Sequence, residues 1–218
     1  MTVKGVSIRH LWCFWVFLLI SDAFDLSVQG PSIALNLPSS LFRPHPDEAA
    51  AFARWLVSRS SWGVLNTIAS DLGGAPFGNV VSFSDGDPDK SSGIPYFYLT
   101  TLDPTASYAL KDQRSSFTIS EYPLGTCGSK DPENPSCAKI TLVGKLKLLD
   151  GNSKEADFAR NALFTKHPEM KGWPKNHHFQ FFGLEIDDIF LINWFGGPKP
   201  LTVEQYLQID MNEVSHSA

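Results

Sequence analysis

Few side chains in this 218-residue sequence stand in patterns that chemistry requires. His177 and His178 are adjacent, so on a strand their rings point to opposite faces and cannot grip one metal ion together. A surface turn rich in Trp and His is the simpler reading. Asp187-Asp188 offers paired carboxylates of the kind used in acid–base catalysis, but an Asp-Asp step between apolar runs usually marks a turn or bulge. Gly73-Gly74 and Gly196-Gly197 would let the backbone approach a phosphate; neither is followed by a Lys-Ser/Thr step that would neutralise it, so both read as tight turns. The chain contains no G-x-S-x-G elbow, Walker loop, G-x-G-x-x-G or H-E-x-x-H. What remains is SSGIPYFYL, residues 91–99, in which a turn runs into three aromatics. It is either a plain buried strand or one wall of a pocket for a flat ring.

The elements that would position these residues follow from composition and periodicity. The chain is 43% hydrophobic with 16 Phe, 6 Trp and 5 Tyr, enough to build one sizeable core. A formal charge of −5 and the lack of a basic patch argue against nucleic acid as a partner. Residues 1–23 read as a secretory signal peptide: Lys4 and Arg9, then the apolar Leu11–Ile20, then Ser21-Asp22-Ala23 with small residues at the cleavage positions. Residues 24–44 are expected to be a flexible arm and 45–218 a single domain. No other stretch is apolar enough for a membrane helix, so no integral membrane segment is expected after cleavage. Cys13 leaves with the signal. Cys127 and Cys137 remain, and in an oxidising compartment they are expected to pair across a turn-rich loop, stabilising by roughly 2–3 kcal/mol. No second Cys or His pair stands near them to make a zinc site.

Periodicity predicts a helix from Asp47 burying Ala49, Phe52, Ala53, Leu56 and Val57. Strands follow at 62–69, 79–86 and 94–102, a short helix at 104–112, and strands at 116–121 and 139–150, the last broken near Gly144 by a bulge or bend. Asn152 and Glu155 predict a capping box for a helix to His167 that buries Phe158, Ala162 and Leu163. Strands at 179–186 and 189–195 flank the two aspartates, and Thr202 with Gln205 caps a last helix. Short connections between at least six strands favour an antiparallel barrel or sandwich with flanking helices, an α+β domain.

SSWGVLNTI (60–68), SFSDG (82–86), SGIPYFYL (92–99), the Cys127/Cys137 loop, LFTKHPEMKGWP (163–174) and FGGPK (195–199) together resemble the CREG family of secreted proteins, in the family's order and across about residues 45–208. The resemblance implies the FMN-binding split barrel of pyridoxamine 5′-phosphate oxidase-like flavoproteins, assembled as a homodimer. In that superfamily a flavin lies at the dimer interface, its phosphate held by basic and hydroxyl side chains beside the strand that SGIPYFYL resembles. CREG members are regarded as non-enzymatic, with an obstructed pocket. They act in growth control and differentiation, outside cells and in endosomal or lysosomal compartments. Carried onto this sequence, the flavin pocket would use Thr100, Thr101, Thr105, Ser107 and Tyr108. Relatives that bind flavin commonly place an arginine in the segment occupied here by Ala106–Tyr108. None is present; Lys111 and Arg114 lie a helical turn or more away, and Asp103 adds a negative charge.

The expectation is therefore a homodimer with an unidentified protein receptor or partner, no cofactor and no catalysis, in an extracellular, endosomal, lysosomal or vacuolar lumen. The alternative is an FMN-dependent oxidoreductase using the same pocket. Animal members carry N-glycans and can use mannose-6-phosphate receptors, whereas here Asn134-Pro135-Ser136 is blocked by its proline, so glycan-dependent routing does not transfer. Amino-terminal sequencing of secreted material should begin at Phe24 or within a few residues of it; cytosolic protein retaining Met1 would overturn the assigned compartment.

Overall fold

The computed structural model describes residues 43–87 and 90–211; the expected signal peptide and nearly all of the expected arm lie outside them. Six strands form one antiparallel sheet: β1 (Trp62–Ala69), β2 (Ala75–Ser82), β3 (Tyr96–Leu99), β4 (Arg114–Ser120), β5 (Lys139–Leu148) and β6 (Gln180–Ile192), in the order β2-β1-β4-β5-β6-β3. Alternating burial along β1 and β4 is the mark of a sheet with one face on the core. Four helices flank it: α1 (Ala49–Arg59), α2 (Pro104–Lys111), α3 (Lys154–Lys166) and α4 (Val203–Leu207).

The sheet curls because its two edges meet. Just beyond β2, Ser84 exchanges both backbone hydrogen bonds with Tyr96 at the start of β3, at 3.1 and 2.9 Å. That single bridge closes the sheet into an antiparallel split β-barrel, and beyond it the edges of β2 and β3 splay apart. Phe52, Trp55, Leu56 and Val57 of α1 pack onto the inner face with Leu65, Phe117, Ile140 and Leu142. Phe117 lies at the centre, edge-on to Phe83 at 4.8 Å and Phe97 at 5.0 Å. Burying each such ring stabilises by about 1.5–3 kcal/mol. A second cluster lies under α3, where Ala159 and Leu163 meet Tyr96 and Met170.

Several boundaries differ from the sequence reading, each for a local reason. Asp187 and Asp188 do not separate two strands. β6 is continuous, and the register steps from Val143↔Asp188 to Gly144↔Ile186, leaving Asp187 as the extra residue of a bulge. Gly144 permits it, since a Cβ there would be driven into the Glu185 carbonyl oxygen. The cap of α3 is Ser153, whose Oγ accepts from the Ala156 amide at 3.1 Å; Asn152 is held one residue earlier by an Asp150 turn. The shifted register buries Ala156, Ala159, Ala162 and Leu163 and turns Phe158 outward. β2 starts at Ala75 because the Gly73-Gly74 turn, both residues at positive φ, lets the full hairpin pair from Ala69↔Ala75. β3 is shortened by Pro95, which has no amide hydrogen, and by the turn that begins at Thr100. The predicted capping box on Thr202 and Gln205 is present.

Cys127 and Cys137 are joined, with Cα atoms 5.1 Å apart. Beside that loop, Glu121 is fully buried and accepts from Arg43, from the Thr126 hydroxyl at 2.7 Å and from the Ala138 amide at 2.8 Å. Burial opposes its ionisation, but the Arg43, Ala138 and Thr126 hydrogen bonds outweigh it and hold the carboxyl below its usual range. A lowered acid pKa contributes stability that is present above the unfolded value and lost as pH falls through the folded one. Arg43→Ala should therefore cost about 1.5–3 kcal/mol in urea unfolding at pH 7. The gap from wild type should shrink as the pH drops below about 4; a gap that stays constant with pH would contradict this role for Glu121.

Candidate functional site

Where the two edges splay, a cavity of about 490 Å³ opens between β2 and the end of β3. One side is β2, from Asn79 to Ser82; the opposite side is Tyr98, Leu99 and Thr100. Asp103, the N-cap of α2, closes one end. The chain after α3 covers the rest with Met170, Trp173, Pro174 and Phe179.

The aromatic wall is a stack centred on Tyr98. Its ring lies near-parallel to Phe181 at 4.8 Å, Phe179 at 4.9 Å and Trp173 at 5.9 Å. Alternation along β3 makes this arrangement: Phe97 enters the barrel core, and Tyr96 and Tyr98 face the α3 side. Burial pushes the Tyr98 phenol pKa up, with Arg160 partly opposing.

The polar end is internally satisfied. Asp103 Oδ1 accepts from the Thr105 amide at 2.7 Å, and its Oδ2 accepts from Asn79 Nδ2 at 2.9 Å. Asn79 Nδ2 also donates to Thr105 Oγ1 at 3.0 Å. Thr100 Oγ1 donates to the His177 carbonyl at 2.5 Å.

Of the five residues carried over from flavin-binding relatives, only Thr100 lines the cavity. Thr105 is fully buried behind Asn79. Thr101 is exposed, and Ser107 Oγ donates to its carbonyl at 2.9 Å. The Tyr108 ring packs edge-on against Phe77 at 5.5 Å, and a hydrogen bond with Asp71 raises its phenol pKa. No Lys or Arg lines the cavity, and Asp103 is the one formally charged side chain that does. Arg114 is engaged elsewhere, paired with Asp112 at 2.6 Å.

The other motifs do not converge here. His177 ends a single 3-10 turn and His178 is left-handed at φ 50°, so the pair is not on a strand. Asp188 accepts from the Ile189 amide at 2.8 Å, while Asp187 lies 3.7 Å from Lys145. Gly196 and Gly197 sit in a bend at positive φ. Among the described residues no group of His, Cys, Asp and Glu could hold a metal ion.

A buried polar cluster went unread in the sequence. Arg54 is 2% exposed and donates to the carbonyls of Ser91 at 2.5 Å, Ile209 at 3.1 Å and Tyr206 at 3.3 Å. Tyr206 Oη in turn donates to the Gly93 carbonyl at 2.7 Å. Lys166 Nζ donates to Ser60 O at 2.6 Å and stands 4.0 Å from Asp85, which is fully buried. Burial pushes the Asp85 carboxyl pKa up and the Lys166 ammonium pKa down; Lys166, Arg54, the Asp85 backbone and Ser91 offset the former only partly. The cluster fastens the segment between β2 and β3, and so sets where β3 begins. One signal was available: AAAFARWLV is apolar nearly all round, so its single arginine had to be buried.

The family model described as "CREG, beta-barrel" matches residues 44–208. Protein CREG1 of Gallus gallus is 38% identical over 172 residues, 76% of this chain and 88% of its own length. Protein CREG1 of Homo sapiens is also 38% identical, over 170 residues covering 76% of each chain. Among solved structures, a heme-binding protein from Mycobacterium smegmatis superposes with a TM-score of 0.61 at 20% identity; the match covers 77% of this chain and 62% of that one, and the similarity is one of fold.

Because Asp103 caps α2, its cap and charge can be separated by mutation. Asp103→Ala should lower stability by about 1 kcal/mol, whereas Asp103→Asn keeps the cap, gives up only the Oδ2 acceptor of Asn79 and should cost less. Urea unfolding of both variants checks this; equal losses would mean that the charge, not the cap, is what matters there.

Proposed function

The chain belongs to the CREG family, and from that premise we propose that it is a non-enzymatic regulatory protein of the secretory and endomembrane lumen. In this reading it works as a homodimer through contacts with an unidentified protein partner in growth or differentiation control, and its cavity does not hold FMN. The observation that carries the reading is the cavity lining, which has no Lys or Arg and includes Asp103. A flavin phosphate brings nearly two negative charges and needs charge-assisted donors, each contributing roughly 1.5–3 kcal/mol. Thr100, the one carried-over hydroxyl on the cavity wall, already donates to His177. The residues present do not fit the phosphate. The aromatic wall and the cavity volume would suit a flat ring, which is what keeps an FMN-dependent oxidoreductase as the second reading.

Two further observations support the finer parts of the proposal. The outer face of the sheet carries a row across five strands, Val80–Val64–Thr118–Thr141–Phe190, with Val80 63% and Phe190 49% exposed. Val143 and Trp62 lie on the same face and are also exposed. A sheet face that leaves Val80, Phe190, Val143 and Trp62 exposed around the polar Thr118 and Thr141 suits an isologous partner surface. The Cys127–Cys137 disulfide suits an oxidising lumen. No helix among the described residues is long and apolar enough to cross a membrane.

Titration of FMN into the purified protein should give no saturable fluorescence quenching up to high micromolar concentration; tight quenching would move the oxidoreductase reading to the front. Light scattering should return about twice the chain mass for the wild type and one chain mass for Phe190→Glu. A wild-type monomer at micromolar concentration would remove the dimer from the proposal.

A further inference from the structure

The cavity, whose lining includes Asp103 and no Lys or Arg, has a chemistry of its own. Its side chains fall into two sets. One is the ring wall of Tyr98, Trp173 and Phe179, stacked on one another, whose remaining open π surface attracts cations; Arg160 already lies 5.3 Å over Phe181 in the same stack but does not line the cavity. The other is the polar end, where the donors are already engaged. Asn79 uses its amide nitrogen on Asp103 and Thr105, and Thr100 gives its hydroxyl hydrogen to His177. What these groups leave is acceptor capacity: the Asn79 carbonyl oxygen and the remaining lone pairs of a carboxylate. Asp103 is oriented by neutral donors, the Thr105 amide and the Asn79 amide, at the positive end of α2, and among the described residues no Lys or Arg pairs with it. Ser82 can serve as donor or acceptor. The splayed strand edges bring N–H and C=O groups alike, so they do not set a sign. Lys171 and Lys175 lie within the covering segment, but both are exposed and neither lines the cavity.

We propose that this cavity, between β2, the end of β3 and the Met170–Phe179 segment, binds a small flat aromatic cation that carries N–H donors. Its rings insert beside Tyr98, Trp173 and Phe179, and its cationic N–H group faces Asp103 and the Asn79 oxygen. A volume of about 490 Å³ suits a ligand of two or three fused rings. The site stands on the cavity and its charge, independently of the regulatory role proposed above; Val80 belongs both to its β2 wall and to the sheet face proposed for the dimer.

Proflavine, a planar diaminoacridinium, is the test probe, and 1-anilinonaphthalene-8-sulfonate is the anionic control of similar apolar size. Fluorescence titration of the full purified protein should give one saturable proflavine site per chain at micromolar concentration, with no displacement by the anionic dye. Asp103→Asn, which keeps the helix cap, should weaken proflavine by about tenfold, the loss of one charge-assisted contact. Trp173→Ala should weaken it as well, with urea unfolding confirming that both variants are folded. The proposal is overturned if proflavine does not saturate, if the anionic dye binds as tightly or displaces it, or if Asp103→Asn binds as the wild type does. Failure of proflavine alone would leave the absence of FMN binding untouched, and tight FMN binding would overturn the earlier reading by a separate measurement.

Discussion

The barrel closes at one point. The Ser84–Tyr96 bridge joins the two edges of a six-stranded sheet, and no ladder continues it. Behind the bridge the chain is fastened by Arg54, whose guanidinium reaches carbonyls at Ser91 and at Tyr206–Ile209, and by Tyr206, which holds Gly93. Ahead of it the edges diverge, and the gap between Asn79–Ser82 and Tyr98–Thr100 is the cavity. A closed barrel would have no such gap, and an open sheet would not hold its walls at a fixed spacing. The four residues of β3 are therefore under an unusual demand. Phe97 must fill the barrel core, Tyr96 and Tyr98 must build the cluster under α3, and the backbone must hand over from Ser84 on one side to β6 on the other.

The distribution of charge follows from the same geometry. The two cations nearest the closure, Arg54 and Lys166, are turned inward and engaged by carbonyls that need a donor, with Asp85 buried between them. They steady the loop that starts β3, so they are unavailable to a ligand in the gap. The gap itself receives one carboxylate, positioned there because α2 needs an N-cap immediately after the strand. A helix cap thus supplies the one carboxylate on the cavity wall, and on the proposed reading that charge opposes a phosphate.

Much of the fold was legible because it is written in local patterns: the period of α1, the strand runs, the break at Gly144, the Thr202–Gln205 box and the cysteine spacing. What local pattern leaves undetermined is of two kinds. Some are one-residue ambiguities, as at α3, where Ser153 caps and Asn152 lies in the preceding turn, so that Phe158 turns outward. Others depend on partners far along the chain. Whether Thr100 could donate to a ligand is decided by the His177 carbonyl, 77 residues away, and the burial of Arg54 by a helix about 150 residues downstream. Thr100, Thr101, Thr105, Ser107 and Tyr108 look like one hydroxyl cluster in the sequence; a turn and a helix disperse them to different surfaces.

The proposed absence of FMN rests on the charge of the cavity lining. It is tested most directly on protein purified from a secretory host grown with ample riboflavin, by its visible spectrum and by mass spectrometry of whatever small molecules denaturation releases. The account predicts a colourless protein with no band near roughly 450 nm, where a flavin absorbs, and no flavin in the released fraction. A yellow protein releasing about one FMN per chain would contradict it.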